Sequence, residues 1–387
     1  MITTAQMNIS STDTLTTAIH PVRILMAAGG TGGHVFPAIS IADALKREII
    51  SVEILFVGTR DRMEWDTVPK YGYEIKSIWI SGLHRRFTLK NLLFPVKVIV
   101  SLIQSFLILK SFKPVVVVSC GGFASGPVGW MASMLGIQLV IQEQNSYPGI
   151  TNRILAKKAD RIFTAFEDVA NFLPNEKITL TGNPVRGSIS KADPVQSLKI
   201  FGFSSDKKIL LVLGGSGGAK AINDIMTNNI DQLHNEHNLQ IIWQCGRNYY
   251  DDLLKKIHPD QYAHLRLIPY IDDMPAAYSV ADLVVSRAGA GTCSELMNIG
   301  QPALLIPSPN VAGDHQVKNA RSMAKSSAAT VLNESELDES FLQTVVGFIH
   351  DRDKLNQMRQ AMLKIAKPDA AKTISKEIKT LVRNSEV

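Results

Sequence analysis

The sequence predicts an α/β protein with two parallel sheets, and three observations carry that expectation. Short β-rich runs alternate with helical patterns along the whole chain. Most of these runs end in glycine or another small residue just where a helix begins. One strand, glycine loop and helix unit occurs twice: "ILMAAGGTGGHVFPAI" (24–39) returns as "ILLVLGGSGGAKAIND" (209–224), about 185 residues later. That separation is far beyond a solenoid period, so the copies open two separate doubly wound domains. A chain of 387 residues with 45% hydrophobic content can fill two cores.

In chain order, residues 1–20 come first. They are Ser/Thr-rich, hold no Lys or Arg and have no apolar run, so they read as a loose extension and not a signal peptide. Strands are expected over Val22–Ala28, Val52–Val57, Pro114–Ser119, Gln138–Gln142 and Arg161–Thr164. The second half offers Lys208–Leu213, Leu239–Trp243, Leu265–Pro269, Leu283–Ser286 and Ala303–Pro307. The segment "TGNPVRGSISKADP" (181–194) has the Gly, Pro, Ser and charge of a linker. The expected domains are therefore 21–186 and 187–387, two Rossmann-like units, with the last helix free to pack back on the first.

The stretch 82–113 differs from the rest. It is apolar with basic punctuation at Arg85, Arg86, Lys90, Lys97, Lys110 and Lys113. Pro95 and Lys97 interrupt the run, which argues against a spanning helix. Two readings stay open: a long helix buried in the first domain, or a surface resting on anionic lipid headgroups.

Four glycine loops follow strands: "GGTGGH" (29–34), "SCGGFASGP" (119–127), "LGGSGGA" (213–219) and "SRAGAGTCSE" (286–295). Glycine lets backbone N–H groups approach a bulky anion, and a following helix adds its positive end. Each loop can be a phosphate cradle or only a tight packing turn. None is a Walker A loop, and Val35 stands where a dinucleotide loop starting at Gly30 needs its third glycine. In open α/β sheets ligands bind at the carboxyl ends of the strands, so the four loops can line one cleft between the domains.

Composition narrows the classes. The net charge of +6 suits an anionic substrate or membrane surface and is too dispersed for nucleic acid. Cys120, Cys245 and Cys293 form no C-x-x-C pair, which favours a reducing compartment and argues against zinc.

Together the motifs resemble the bacterial undecaprenyldiphospho-muramoylpentapeptide β-N-acetylglucosaminyltransferases, a peptidoglycan-synthesis family of the two-domain GT-B architecture. The carriers are "AGGTGGHVFPA", "GGFASGP", "QEQNSYPGITNR", "GNPVR", "LGGSGGA", "IDDM", "SRAGAGTCSE" and "DHQ", in that order from about Val22 to the C-terminus. The resemblance implies transfer of GlcNAc from UDP-GlcNAc to undecaprenyl-diphosphate-MurNAc-pentapeptide. It implies a peripheral protein on the cytoplasmic face of the inner membrane, with an anionic membrane surface and cell-wall synthesis proteins as partners. By the same resemblance Thr31, Gly32, Gly33 and Asn145 lie by the donor sugar and diphosphate. Arg186 and Ser216 lie by the donor phosphates, and Ile271 offers its backbone to uracil. Ala290, Gly291, Thr292, Cys293, Ser294 and Glu295 wrap the diphosphate and ribose, with Glu295 accepting from the ribose hydroxyls. Gln316 contacts the sugar hydroxyls. Phe123 departs from the tyrosine frequent in the family's third loop.

The implied reaction needs a base and stabilisation of departing UDP. His34 is the candidate base, against the reading of a structural hydrogen bonder. Glu143 is a second candidate, against the reading of a carboxylate that orders the Asn145 loop. Asp272 and Asp273 read as a cap for the next helix, so no cofactor is expected, although Mg²⁺ carried loosely on the substrates is compatible. A UDP-GlcNAc 2-epimerase shares architecture and donor but has no use for 82–113. A non-catalytic nucleotide-sugar-binding or membrane-recruitment subunit needs a site in only one domain.

Overall fold

The computed structural model describes residues 21–82, 92–185, 192–215 and 217–385. The first half builds seven strands: β1 (Val22–Ala27), β2 (Val52–Gly58), β3 (Glu74–Ser77), β4 (Val116–Ser119), β5 (Gln138–Glu143), β6 (Arg161–Thr164) and β7 (Ile178–Leu180). They lie in the order β3-β2-β1-β4-β5-β6-β7. The second half builds β8 (Ile209–Leu213), β9 (Gln240–Gln244), β10 (Leu265–Ile268), β11 (Leu283–Ser286), β12 (Ala303–Leu305) and β13 (Thr330–Val331). Their order is β10-β9-β8-β11-β12-β13. Every pairing is parallel; Ile24, for example, stands between Ile54 and Val116. Runs such as Leu210, Leu211 and Val212 are fully buried because helices cover both faces. This is the two-sheet α/β class the alternation predicts.

Three strands escape the sequence reading: β3, β7 and β13. All are edge strands of two to four residues. An edge strand has one neighbour and fewer covered side chains, so "EIKS" and "TV" show no apolar run.

The helices facing these sheets include α1 (Gly32–Glu48), α2 (Met63–Thr67), α3 (Phe94–Phe112), α4 (Ser125–Met134) and α5 (Ile150–Ala156) in the first half. The second half adds α6 (Pro194–Phe201), α7 (Lys220–Asp231), α8 (Tyr250–Ile257), α9 (Met274–Val280), α10 (Ala290–Ile299), α11 (His315–Lys325), α12 (Leu337–Ile349) and α13 (Arg352–Ile365). α6 shows how locally these begin and end. Asp193 Oδ1 accepts from Val195 N at 2.8 Å, Pro194 opens the first turn, and Gly202 closes the helix at φ 64°. The last helix, α14 (Ala370–Ser385), returns to the first sheet. Ile374, Ile378, Leu381 and Val382 join the core beneath α1, at the i, i+4, i+7, i+8 spacing of one helical face.

α3 corrects the reading of a long buried helix. Its fully buried side chains are Ser101, Ser105 and Leu109, while Val96, Ile99, Ile103, Phe106 and Leu107 are exposed. The small serines let the helix lie close against the fold and turn its large apolar groups outward. By length and composition alone it passes for a membrane span, with 17% of its 18-residue window buried. As the crossover between β3 and β4 it is docked against α4. Arg85, Arg86 and Lys90 lie outside the described residues.

Candidate active site

β1 and β4 are neighbours from which the chain departs in opposite directions, so the loops after them meet at the switch point of the first sheet. Gly122 is at φ 87°, and a Cβ there would fall 2.1 Å from Gly29 O. Ser125 Oγ donates to Ala27 O at 2.7 Å and ties the same two strands' exits together. The first loop is short: Thr31 is the N-cap of α1 at φ −144°, and Gly32 and Gly33 are already helical. Their N–H groups belong to the helix end, which has no intrahelical acceptor.

His34 sits in that first turn. Its Nδ1 is 3.0 Å from Thr31 Oγ1. Its Cδ2–Nε2 edge lies against Gly121, where a Cβ would come within 2.6 Å of Cδ2. Burial, then the nearby His315, pulls its pKa down to about 4, against a smaller upward pull from the Gly29 backbone. The ring is neutral at pH 7 and presents one lone pair.

Glu64 was not anticipated. It is 0% exposed, and its carboxylate accepts from Gly30 N (3.0 Å), Thr59 N (3.0 Å) and Thr59 Oγ1 (2.8 Å). Cβ atoms at Gly29 and Gly58 would each come within 2.6 Å of its side chain. Part of the first glycine pair thus makes room for a carboxylate, and the Gly30 N–H is taken by it. In the sequence Glu64 stands in "RDRMEWD", which reads as a solvated charge cluster.

The second copy of the repeat has another shape. Gly215 and Gly218 are at φ 80° and 84°, and α7 begins only at Lys220, with Ala219 as N-cap. Gly217 and Gly218 pack on the loop after β9: a Cβ on Gly246 would fall 2.1 Å from Gly218 N. Ser216 and Arg186 lie outside the described residues.

β11 delivers α10. Gly289 is its N-cap, and Ala290, Gly291 and Thr292 form its first turn. The side chains of Cys293 and Ser294 turn inward. Cys293 is fully buried, its thiol pushed up to about 12, and Ser294 Oγ donates to Ala290 O at 2.8 Å. At these two positions the side chains belong to the interior of the fold. Glu295 Oε2 accepts from the buried Tyr278 hydroxyl at 3.1 Å. Burial and then the Glu295 carboxylate push the Tyr278 hydroxyl well above the usual phenol range. Ile271 is buried, with its side chain in a core cluster of the second half. Asp273 Oδ1 accepts from Ala276 N at 3.0 Å and caps α9. Gln316 Oε1 accepts from Ser308 N at 2.9 Å.

Asn319, also unanticipated, bolts the two halves together. It is fully buried, accepts from Ser146 N at 2.8 Å, and donates to Asn145 Oδ1 and to Ala288 O, both at 3.2 Å. The Asn145 loop thereby touches the strand exit that leads into α10. Below it, Glu143 accepts from Asn145 N (2.9 Å), Asn145 Nδ2 (3.4 Å), Gly149 N (3.0 Å) and Asn152 Nδ2 (2.8 Å). Burial raises its pKa and these donors lower it, with burial the larger effect.

Comparison with known proteins matches these halves. Residues 24–164 fit the glycosyltransferase family 28 N-terminal domain and residues 209–374 its C-terminal domain. The chain is 46% identical over 365 residues to the UDP-N-acetylglucosamine–N-acetylmuramyl-(pentapeptide) pyrophosphoryl-undecaprenol N-acetylglucosamine transferase of Christiangramia forsetii, covering 94% of this chain and 98% of that one. The crystal structure of Acinetobacter baumannii MurG superposes with a TM-score of 0.75 at 29% identity, over 93% of this chain and 100% of that one. A putative UDP-N-acetylglucosamine 2-epimerase from Listeria monocytogenes shares the fold, with a TM-score of 0.65 at 14% identity, over 92% of this chain and 95% of that one.

Proposed function

The chain belongs to glycosyltransferase family 28, and from that membership we infer that it transfers GlcNAc from UDP-GlcNAc to the 4-hydroxyl of MurNAc in undecaprenyl-diphosphate-MurNAc-pentapeptide, with inversion. The observation that carries the reading is the Asn145–Asn319–Ala288 bridge. It joins the loop after β5 of one sheet to the strand exit that leads into α10 of the other, which suits a transfer between two substrates held by different halves.

The donor side rests on backbone. The first turn of α10 aims N–H groups at the departing diphosphate, and the helix end adds partial positive charge. Tyr278 holds the Glu295 carboxylate in place to accept from a vicinal diol, the chemistry of a ribose edge. The Ile271 backbone is suited to the uracil edge, and Gln316 and Asn145 to sugar hydroxyls; Arg186 and Ser216 complete the proposed phosphate contacts.

The α1 entrance, with Thr31, Gly32 and Gly33, holds the acceptor's diphosphate close to the donor sugar that these residues also flank. With Nδ1–H donating to Thr31 Oγ1, the His34 Nε2 lone pair takes the proton of the attacking hydroxyl. As the C–O bond to GlcNAc forms, the bond to UDP breaks, and the helix ends receive the charge. Glu143 orders the Asn145 loop, since its oxygens already accept four hydrogen bonds.

The exposed apolar face of α3 suits a lipid surface, with Lys97 and Lys110 as basic neighbours on the same helix. The protein then works peripherally at the cytoplasmic face of the membrane that carries its acceptor. Binding to anionic vesicles that salt weakens supports this; indifference to such vesicles at low salt refutes it. For the reaction, incubation with UDP-GlcNAc and a lipid-diphosphate-MurNAc acceptor should yield disaccharide lipid. Release of UDP-ManNAc without acceptor would identify an epimerase instead.

A further inference from the structure

A cleft of about 280 Å³ opens beside the Asn145 loop, between α11 of the second half and the turn Glu167–Asn171 of the first. Lys318, Arg321 and Lys325 line one wall at the i, i+3, i+7 spacing of a single helical face. Asp168, Asn171 and Phe172 line the other, and Ser146 forms the inner end. Three cations thus meet one carboxylate, which among the described residues is within ion-pair distance of Lys325 alone, at 3.6 Å. The cations are organised. Lys318 Nζ lies 3.1 Å from the centroid of the Tyr147 ring, whose hydroxyl accepts from Arg153 Nη1 at 3.0 Å. Tyr147 in turn packs edge-on against Phe172 at 4.8 Å. Ser146 is 2% exposed, and its Oγ has no hydrogen-bond partner among the described residues.

We propose that this cleft binds the carboxylates of the acceptor's peptide stem. The proposal rests on the transferase reading above and deepens it. Muramic acid carries its peptide on the lactyl ether of C3, the carbon next to the reacting C4. The stem must therefore leave the reaction centre within a residue's length of the 4-hydroxyl. Ser146 follows Asn145 in the chain, and Asn319, which holds both, follows Lys318 on α11. From Gln316 to Lys325 the helix rises about 14 Å, comparable to the roughly 17 Å of an extended pentapeptide. Arginine and lysine along that path match the carboxylates a stem peptide presents.

The test compares two acceptors that share lipid, diphosphate and MurNAc. One bears the pentapeptide; the other is trimmed to the lactyl amide. Lys318→Gln with Arg321→Gln should raise KM for the pentapeptide acceptor about 10- to 100-fold. KM for UDP-GlcNAc and for the trimmed acceptor should stay as in the unchanged protein, which also reports that the variant is folded. An equal loss on both acceptors, or no loss on either, overturns the proposal. A second arm leaves the protein unchanged and amidates the stem carboxylates; KM should rise about tenfold, and equal KM values overturn the proposal. Absence of transfer to either acceptor by the unchanged protein would instead sink the transferase reading.

Discussion

The two copies of the glycine repeat are nearly the same in sequence and differ in structure. "GGTGG" (29–33) is a short cap: helix begins at its fourth residue, and only Gly30 has positive φ. In "GGSGG" (214–218) helix waits until Lys220, and the described Gly215 and Gly218 both have positive φ. The first copy is held from behind by the Glu64 carboxylate and from the side by Gly122. The second is held by the loop of the adjacent strand β9, through Gly246. One motif therefore serves two tasks. In the proposed reaction the first copy sets a helix end and His34 toward the acceptor, and the second lies with α10 on the donor side.

The largest expected effect tests the cap. His34→Ala should lower turnover about 10²- to 10⁴-fold with little change in UDP-GlcNAc KM. A loss under about tenfold retires His34 as the base. The same residue sets a pH signature. Its folded pKa of about 4 lies below the ordinary 6.5, so as pH falls through 6.5 the unfolded chain takes up a proton that the folded one refuses. Stability contributed by this site falls between 6.5 and about 4, and the acid limb of kcat/KM due to His34 lies near 4. A limb at the ordinary imidazole value, removed by His34→Ala, would contradict the geometry.

Next come the glycines where one loop touches another. Gly122→Ala and Gly246→Ala each press a Cβ to 2.1 Å from backbone, which cannot swing away. Each should cost on the order of 3 kcal/mol or more, read as a fall in Tm. The comparison sharpens if surviving Gly122→Ala protein loses acceptor affinity and surviving Gly246→Ala protein loses donor affinity.

Glu295→Gln keeps the size of the side chain and removes its charge. UDP-GlcNAc KM should rise about 10- to 200-fold, a loss of roughly 1–3 kcal/mol. Unchanged donor affinity would take Glu295 out of the site.

Glu64→Gln turns an amide donor toward the Gly30 or Thr59 N–H and should cost about 1–3 kcal/mol of stability. Acceptor KM should rise while UDP-GlcNAc KM holds. The reverse pattern would mean that the cap serves the donor.

The smallest effect separates strain from contact. Gly30 and Gly215 have open space where a methyl group would stand, so alanine there meets only the positive φ, a cost of about 1–2 kcal/mol. If either costs as much as Gly122→Ala, the packing account of these loops fails.

The sheet cores were legible because a strand buried on both faces shows as an unbroken apolar run, as in "ILLVL" and "LVI". The loops were legible because glycine has few other reasons to cluster at strand ends. Glu64 and Asn319 were not. Each works through partners distant in the chain, Gly30 for one and Asn145 and Ser146 for the other, and a lone Glu or Asn carries no sign of its partner. The α3 helix was ambiguous because hydropathy is the same for a side chain bound for a core and one bound for lipid.

What the sequence determined by itself was the class, the duplication and the glycine-lined strand ends, since periodicity and backbone freedom are local properties. What only the tertiary structure decided was the use of each loop. The two repeats differ in what stands behind them: a buried carboxylate on α2 for the first, a neighbouring strand's loop for the second. Those supports lie about 30 residues further along the chain in both cases, and folding alone brings them within contact.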